Sequence, residues 1–123
     1  MKITTFNPQI IIKDPEPVIR LFEALGFRQT HNKAENDDVE FSAHRMKDEN
    51  GFHVDIVEVP SIPREFTTIR IKVDNFEEAY AFFMSKGYHE SKGFAPSTTA
   101  SSKYAYLVSP TGTIIGICQH IRN

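Results

Sequence analysis

The stretch IIIKDPEPVIRLFEALGF at residues 10–27 predicts a β-strand that runs directly into a short helix. The strand ends at Asp14, a residue type that caps helix N-termini, and Pro15 suits the first helical position. Apolar residues then recur at helical spacing, which indicates one buried helix face. Gly26 suits the left-handed residue that commonly ends a helix. The stretch therefore predicts a strand–helix unit that returns to the sheet.

The stretch IRIKVDNFEEAYAFFMSKGY at residues 69–88 repeats this order. Gly87 follows Gly26 by 61 residues, since 87 − 26 = 61. Gly51 and Gly112 precede two apolar strands and are separated by the same interval, since 112 − 51 = 61. A constant interval of this kind indicates one supersecondary unit that is used twice.

Extending outward from these stretches gives the order strand–helix–strand–strand–strand twice, with Asn75 as the second helix cap. The first module covers about residues 4–58, and the second about residues 66–121. The linker at residues 59–65 carries two prolines, which resist continuing a sheet. We expect a single domain over residues 1–123, because either module alone is too small to be stable.

Composition limits the classes of function. The chain has 123 residues, 40% of them hydrophobic, and a formal net charge of −2. This balance gives no basic footprint for nucleic acid, and no apolar run predicts a membrane span or a secretory signal. The single cysteine, Cys118, excludes an internal disulfide. We therefore expect a cytoplasmic protein that binds neither nucleic acid nor membrane.

The two stretches, together with SPTGTIIGI at residues 109–117, resemble the vicinal-oxygen-chelate superfamily. That superfamily includes glyoxalases, extradiol dioxygenases and bleomycin-resistance proteins. The resemblance implies an α+β fold in which two tandem βαβββ modules form a curved, mostly antiparallel half-barrel sheet. It also implies helices on the outer face and a ligand cleft between the modules. One such fold hosts many chemistries, so the site residues must decide the function.

Strand alternation combined with this fold assigns each residue to a sheet face. Apolar residues are expected outward, against the helices: Ile10, Ile12, Phe52, Val54, Ile56, Ile69, Ile71, Val73, Ile115 and Ile117. The alternate residues are expected in the cleft: Asn7, Gln9, His53, Asp55, Thr68, Arg70, Lys72, Ile114, Gly116 and Cys118. The contrast in polarity between the two sets predicts a polar binding surface.

The resemblance also places the four metal-ligand positions of the family. They fall at Asn7, Asp55, Thr68 and Gly116, of which only Asp55 is a strong ligand. Catalytic metal sites usually need three or more protein donors. This set is incomplete, so we expect no metal and no cofactor.

His53 and Asp55, which lie two apart on one strand face, form the basis of an alternative site. These residues are the candidate catalytic acid–base pair, or part of an unusual metal site that His44 and Gln9 would complete. The remaining histidines, His31, His89 and His120, fall near strand ends or loops. A hydrogen-bonded or surface role is the alternative for each histidine.

Two further groups predict ligand contacts. Arg70 and Lys72 share a strand face and suit a carboxylate or phosphate, although an ion pair with Asp55 or simple solvation is the alternative. Tyr104 and Tyr106, together with Phe94 in the Ser/Thr-rich loop at 92–103, would supply aromatic surface. The predicted ligand-binding set is Asn7, Gln9, Asp55, Thr68, Arg70, Lys72, Phe94, Tyr104, Tyr106 and Gly116.

Three functions remain open on the sequence. The favoured one is a metal-independent small-molecule-binding protein of the glyoxalase/bleomycin-resistance type, with a sequestering role. The second is an enzyme of the lyase, isomerase or dioxygenase kind found in the superfamily. The third is a regulatory module that binds a partner protein. We expect a homodimer, because small members of the superfamily commonly pair and exposed sheet edges need covering.

Overall fold

The computed structural model describes residues 1–32, 42–91, 97–98 and 102–120, and it contains the predicted order of elements. The first module comprises β1 (Ile3–Ile12), α1 (Glu16–Ala24), β2 (Arg28–Asn32), β3 (Ser42–Lys47) and β4 (His53–Glu58). The second comprises β5 (Phe66–Val73), α2 (Phe76–Ser85), β6 (His89–Glu90), β7 (Ser97–Thr98), β8 (Ser102–Val108) and β9 (Ile114–His120). The α+β fold class is confirmed, and the two-residue strand β7 is an element that the sequence did not predict.

The chain divides into two compact units. Asn7–Thr67 form one unit, here called the N-terminal unit. Met1–Phe6 and Thr68–Asn123 form the other, here called the C-terminal unit. The first residues of β1 therefore belong with the second module, where the Lys2 amide donates to Asp74 Oδ1 over 2.7 Å.

In the N-terminal unit the strand order is β2-β3-β4-β1. β4 runs parallel to β1, with Gln9 opposite Asp55, and antiparallel to β3, with Arg45 opposite Asp55. These registers set three residues in one row across three strands. Residues directly opposite in a sheet share a face, so the row Gln9–Asp55–Arg45 lies on one side.

Helix α1 covers the other side of this sheet. Its buried residue Ile19 packs with Ile12, Met46, Val54 and Ile56. The helix begins at Glu16 with Pro15 at the N-cap, one residue later than the sequence predicted. Pro15 has no side chain that accepts a hydrogen bond, but the Asp14 carboxylate still accepts the Glu16 amide over 3.3 Å.

The C-terminal unit has the strand order β5-β9-β8-β6, and β7 pairs with β8. Helix α2 packs its Phe76 and Ala79 against Val73, Leu107 and Ile117, among others. Two side chains accept hydrogen bonds from backbone amides at the start of α2. The side chain of Asn75 accepts the Glu78 amide over 3.0 Å, as the sequence predicted, and Gln119 Oε1 accepts the Phe76 amide over 2.8 Å.

The 61-residue interval has a backbone cause. Gly26 and Gly87 have φ angles of 102° and 92°, and Gly51 and Gly112 are likewise at positive φ. Side chains are strained in this region, so glycine marks the end of each helix and each turn before the last strand. Within the described part of the chain, no helix is long and apolar enough to cross a membrane.

Candidate functional site

The sheet faces opposite the two helices hold the described candidate residues. On β4, Val54 and Ile56 pack with α1, so strand alternation turns His53 and Asp55 to the other face. On β5 and β9, Ile71, Val73, Ile115 and Ile117 pack with the α2 core. The alternating residues Arg70, Lys72, Gly116 and Cys118 therefore lie on the opposite face.

Two positions assigned to the helix side prove to be exposed. Phe52 is 67% exposed and Ile69 is 38% exposed, so neither belongs to the core. Phe52 lies before β4 begins, in the turn where its carbonyl accepts the Asp48 amide over 3.0 Å. Strand alternation predicts the face of a residue but not whether a helix extends far enough to cover it.

Asp55 is a buried candidate residue of the N-terminal unit, and both of its carboxylate oxygens accept hydrogen bonds. It is 4% exposed. Its Oδ1 accepts a hydrogen bond from Arg45 Nε over 3.0 Å, and its Oδ2 accepts one from Asn7 Nδ2 over 3.1 Å. Both carboxylate oxygens are thus engaged by side chains, and the negative charge is balanced by a guanidinium group.

His53 differs from Asp55 although both lie on the same face. Its Nε2 atom is buried and has no hydrogen-bond partner among the described residues. It therefore makes no hydrogen bond to Asp55. A buried polar atom without a partner costs about 1–3 kcal/mol, so it calls for an explanation. The orienting hydrogen bond from the His53 imidazole to the Asp55 carboxylate, which the acid–base interpretation would favour, is not made by Nε2 in this arrangement.

His44 does not join this pair. It alternates with Met46, which packs in the α1 core, so His44 lies on the face opposite His53 and Asp55. Its ring nitrogen is 2.6 Å from Gln29 Oε1. The proposed contribution of His44 to a metal site with His53 and Asp55 is therefore wrong. Phe94 and the side chain of His31 lie outside the described residues.

The donor groups at the family's metal positions do not suit a metal ion. The Asp55 carboxylate is bound to Arg45 and Asn7, and the Thr68 hydroxyl donates to the Ile114 carbonyl over 2.6 Å. Gly116 has no side chain to offer. Among the described residues, no group of three or more His, Cys, Asp or Glu side chains is placed to hold one metal.

The candidate residues of the C-terminal unit form two rows across β5, β9 and β8. Arg70 is opposite Gly116, which is opposite Tyr106. Lys72 is opposite Cys118, which is opposite Tyr104. In the first row Gly116 and Tyr106 are buried and Arg70 is half-buried, whereas all three members of the second row are half-buried.

The aromatic rings of this face contact each other. Tyr104 and Tyr106 meet edge to face, with ring centroids 6.2 Å apart and an interplanar angle of 71°. This is a favourable aromatic geometry that fixes both rings. Tyr104, the more exposed ring, lies on the same face as Arg70 and Lys72, with β9 between them. We call the set Arg70, Lys72, Tyr104 and Cys118 the mixed face.

The resolved pKa shifts in side chains lie away from these faces. The hydroxyl of Tyr80 hydrogen-bonds to Glu90, which raises the Tyr80 pKa. A hydrogen bond from Lys103 lowers the pKa of Glu77. Tyr80 and Glu77 both belong to α2, and their partners belong to strands of the same unit. These two hydrogen-bonded pairs therefore connect α2 to the sheet of the C-terminal unit.

Arg45 is the residue that sequence reasoning missed. The alternation of β3 separated Ala43 and Arg45 from His44 and Met46, but it did not show which set faces away from α1. Met46 shows that the set with His44 and Met46 faces α1, because Met46 is fully buried in the α1 core. A single long apolar side chain at the end of a polar strand was the available signal.

Comparison with known structures identifies the fold. The chain is similar to a glyoxalase/bleomycin resistance protein/dioxygenase superfamily member from Vibrio splendidus 12B01, at a TM-score of 0.61 and 16% identity, covering 96% of this chain and 99% of the other. It is similar to methylmalonyl-CoA epimerase from Mycobacterium tuberculosis at a TM-score of 0.66 and 12% identity, covering 95% and 88%.

A methylmalonyl-CoA epimerase from Streptomyces coelicolor, in complex with 2-nitronate-propionyl-CoA, matches at a TM-score of 0.66 and 14% identity over 96% of this chain and 98% of the other. No protein-family model and no curated protein matches the sequence. The chain therefore has the vicinal-oxygen-chelate fold, which confirms the resemblance seen in the sequence. Similarity at this level of identity fixes the fold and leaves the function to the site.

Proposed function

We propose that this protein binds a small organic anion on the mixed face of the C-terminal unit, without a metal ion. The observation that carries the proposal is the placement of two cations and an aromatic ring, all half-buried, on one sheet face. Arg70 can form two hydrogen bonds to a carboxylate or phosphate, Lys72 adds a point charge, and Tyr104 supplies a flat apolar surface. Half-burial strengthens such contacts by excluding part of the water.

Metal independence is part of this proposal and rests on donor chemistry. Binding a divalent ion at Asp55 would require breaking its contacts with Arg45 and Asn7. The ion would then replace a hydrogen-bonded guanidinium that already balances the charge. A sequestering or carrier role follows more naturally from such a site than metal-assisted catalysis, because no Lewis acid is needed to hold an anion.

The test is a thermal melt of chelator-treated protein against benzoate, succinate and an acyl-CoA ester. Acyl-CoA esters are included because a similar structure contains one. At about 100 times its dissociation constant, a ligand stabilises by roughly 2.7 kcal/mol, which raises the melting temperature by several degrees. We expect Arg70→Gln to weaken binding at least about tenfold, through loss of a charged hydrogen bond.

Arg64→Gln is the matched control, because Arg64 is exposed in the linker and should leave binding unchanged. Binding that survives Arg70→Gln together with Lys72→Gln would contradict the mixed face as the site. Zinc, nickel, manganese and iron form a further arm of the same melt. A rise in melting temperature with one of these metals, if Asp55→Ala removes it, would contradict metal-independent binding.

Enzymatic activity is the second candidate, favoured by the unpartnered Nε2 of His53. This nitrogen has no internal partner among the described residues, and a side-chain rotation that exposes it would let it exchange a proton with a substrate. Turnover of an organic acid that His53→Gln removes, with the fold retained, would support an enzyme with His53 as its base. Binding without turnover would favour the sequestering role over catalysis.

We also propose that the protein is a homodimer in the cytoplasm. On α1 of the N-terminal unit, Leu25 is 63% exposed and Leu21 is 56% exposed, which leaves apolar surface that a partner copy would cover. Sedimentation equilibrium at micromolar concentration should give twice the mass of one chain, and a monomer at that concentration would contradict the proposal.

A further inference from the structure

The sheet of the N-terminal unit presents a row of basic side chains on the face opposite α1. Lys47 in β3 lies directly opposite His53 in β4 and directly opposite Arg28 in β2. Opposite residues share a sheet face, so the three lie side by side across three strands. With strands about 4.8 Å apart, the row spans about 10 Å.

Arg45 extends this row along β3, two residues before Lys47 on the same face. Its Nε donates to the buried Asp55 over 3.0 Å, and its side chain is 37% exposed. Asp55 is itself held by Asn7. The Asp55 carboxylate therefore fixes the orientation of the Arg45 guanidinium group. Its two terminal amino groups make no hydrogen bond within the described part of the chain, so they remain available to a ligand.

The charge on this face contrasts with the rest of the molecule. The whole chain carries a formal charge of −2, yet Arg28, Arg45 and Lys47 lie on one face, where Asp55 pairs with Arg45. Among the described residues, neither Arg28 nor Lys47 forms an ion pair. Like charges directly opposite each other destabilise a sheet, so this pairing opposes folding.

His53 adds an independent observation at the end of the row. Its Nε2 is buried without a partner in the described part of the chain, which also opposes folding. Two unfavourable features therefore coincide on one small area: repelling cations and an unsatisfied imidazole nitrogen. A bound anion would neutralise the cations, and it would accept a hydrogen bond from the imidazole if the ring turned Nε2 toward it.

We propose that Arg28, Arg45, Lys47 and His53, here called the basic face, bind a small polyanion bearing phosphate or several carboxylates. Arg45 provides the two-pronged grip, Arg28 and Lys47 provide charge, and Asp55 is a positioning residue. The 10 Å span suits a diphosphate or tricarboxylate rather than an extended nucleic acid, which a chain of net negative charge would repel. The basic face lies within the N-terminal unit, so this proposal does not depend on the mixed face.

The experiment is a melt and a calorimetric titration of the full chain with sodium pyrophosphate and with citrate, each compared with sodium chloride at equal ionic strength. We expect one or both anions to raise the melting temperature by several degrees beyond the chloride control. Pyrophosphate binding more tightly than citrate would assign a phosphate-bearing ligand, and the reverse a polycarboxylate. A 12-mer of polyuridine forms a further arm.

Variants make the test specific. Arg45→Lys keeps the positive charge but removes the planar guanidinium group that can form two hydrogen bonds to one anion. We therefore expect the affinity for the anion to fall at least about tenfold. Lys47→Gln should lower affinity while the melting temperature of the free protein does not fall, because repulsion by Arg28 is relieved. Arg20→Gln is the matched control: Arg20 is an exposed arginine on α1 paired with Glu16, and its loss should leave binding unchanged.

The proposal would be overturned in any of three ways. The first is that neither anion raises the melting temperature beyond the chloride control. The second is that the rise persists in the variant carrying both Arg45→Gln and Lys47→Gln. The third is that polyuridine binds where both small anions fail. Arg70→Gln separates the two proposed sites, because it should weaken binding of organic acids to the mixed face and leave pyrophosphate binding intact.

Discussion

Replacement of Ile56 by aspartate is expected to unfold the N-terminal unit. Ile56 is 0% exposed and packs with Ile12, Ile19 and Met46 beneath α1. Aspartate at this position would put an unpaired carboxylate among apolar side chains, in addition to losing the packing of the isoleucine. Each of these effects costs several kcal/mol, and small domains are stable by about 5–15 kcal/mol in total. The measurement is circular dichroism with the dispersion of an amide NMR spectrum.

Phe52→Asp is the matched control for this prediction. Sequence alternation assigns positions 52 and 56 to the same helix-covered face, but Phe52 is 67% exposed. Surface substitutions usually change stability by less than about 0.5 kcal/mol, so Phe52→Asp should melt close to the wild type. If the two variants were equally destabilised, the extent of α1 over β4 would differ from the structure described here.

The fold could be predicted from the sequence because its signals are local and occur twice. Gly26 and Gly87 occupy positive φ angles that other residues tolerate poorly, so the chain carries glycine wherever the unit requires this turn. Asn75 caps α2 through its own side chain, a contact made within three residues. Such features depend on neighbours in sequence, and periodicity then gives the buried face of each strand.

The candidate site could be predicted only in part, because its contacts depend on register between strands. Asp55 was recognised as polar and inward, but its partner Arg45 is ten residues away on another strand. The repeat does not help, since the alternation of β3 did not show which of its faces lies away from α1. The basic face escaped notice for the same reason: Arg28 and Lys47 become neighbours only through the pairing of β2 with β3.

Replacement of Asp55 by alanine is expected to destabilise the protein by roughly 2–4 kcal/mol. The carboxylate accepts hydrogen bonds from Arg45 and Asn7, and hydrogen bonds to charged groups contribute about 1.5–3 kcal/mol each. Its loss leaves the Asn7 amide without this acceptor at a site that is 3% exposed. The Arg45 side chain is 37% exposed, so water compensates part of its loss. Urea unfolding gives the change in free energy directly.

A double-mutant cycle with Arg45 separates a structural Asp55 from a ligand-binding one. Arg45→Met keeps much of the side-chain length and removes the charge, and we expect Asp55→Ala to cost clearly less in that background. The coupling should be about 1–3 kcal/mol if the ion pair holds the carboxylate in place. A carboxylate reserved for a metal or a substrate would instead be strained in the free protein, and its removal would leave stability unchanged or higher. A cost near zero with no coupling would therefore contradict the positioning role of Asp55 and return it to the set of reactive residues.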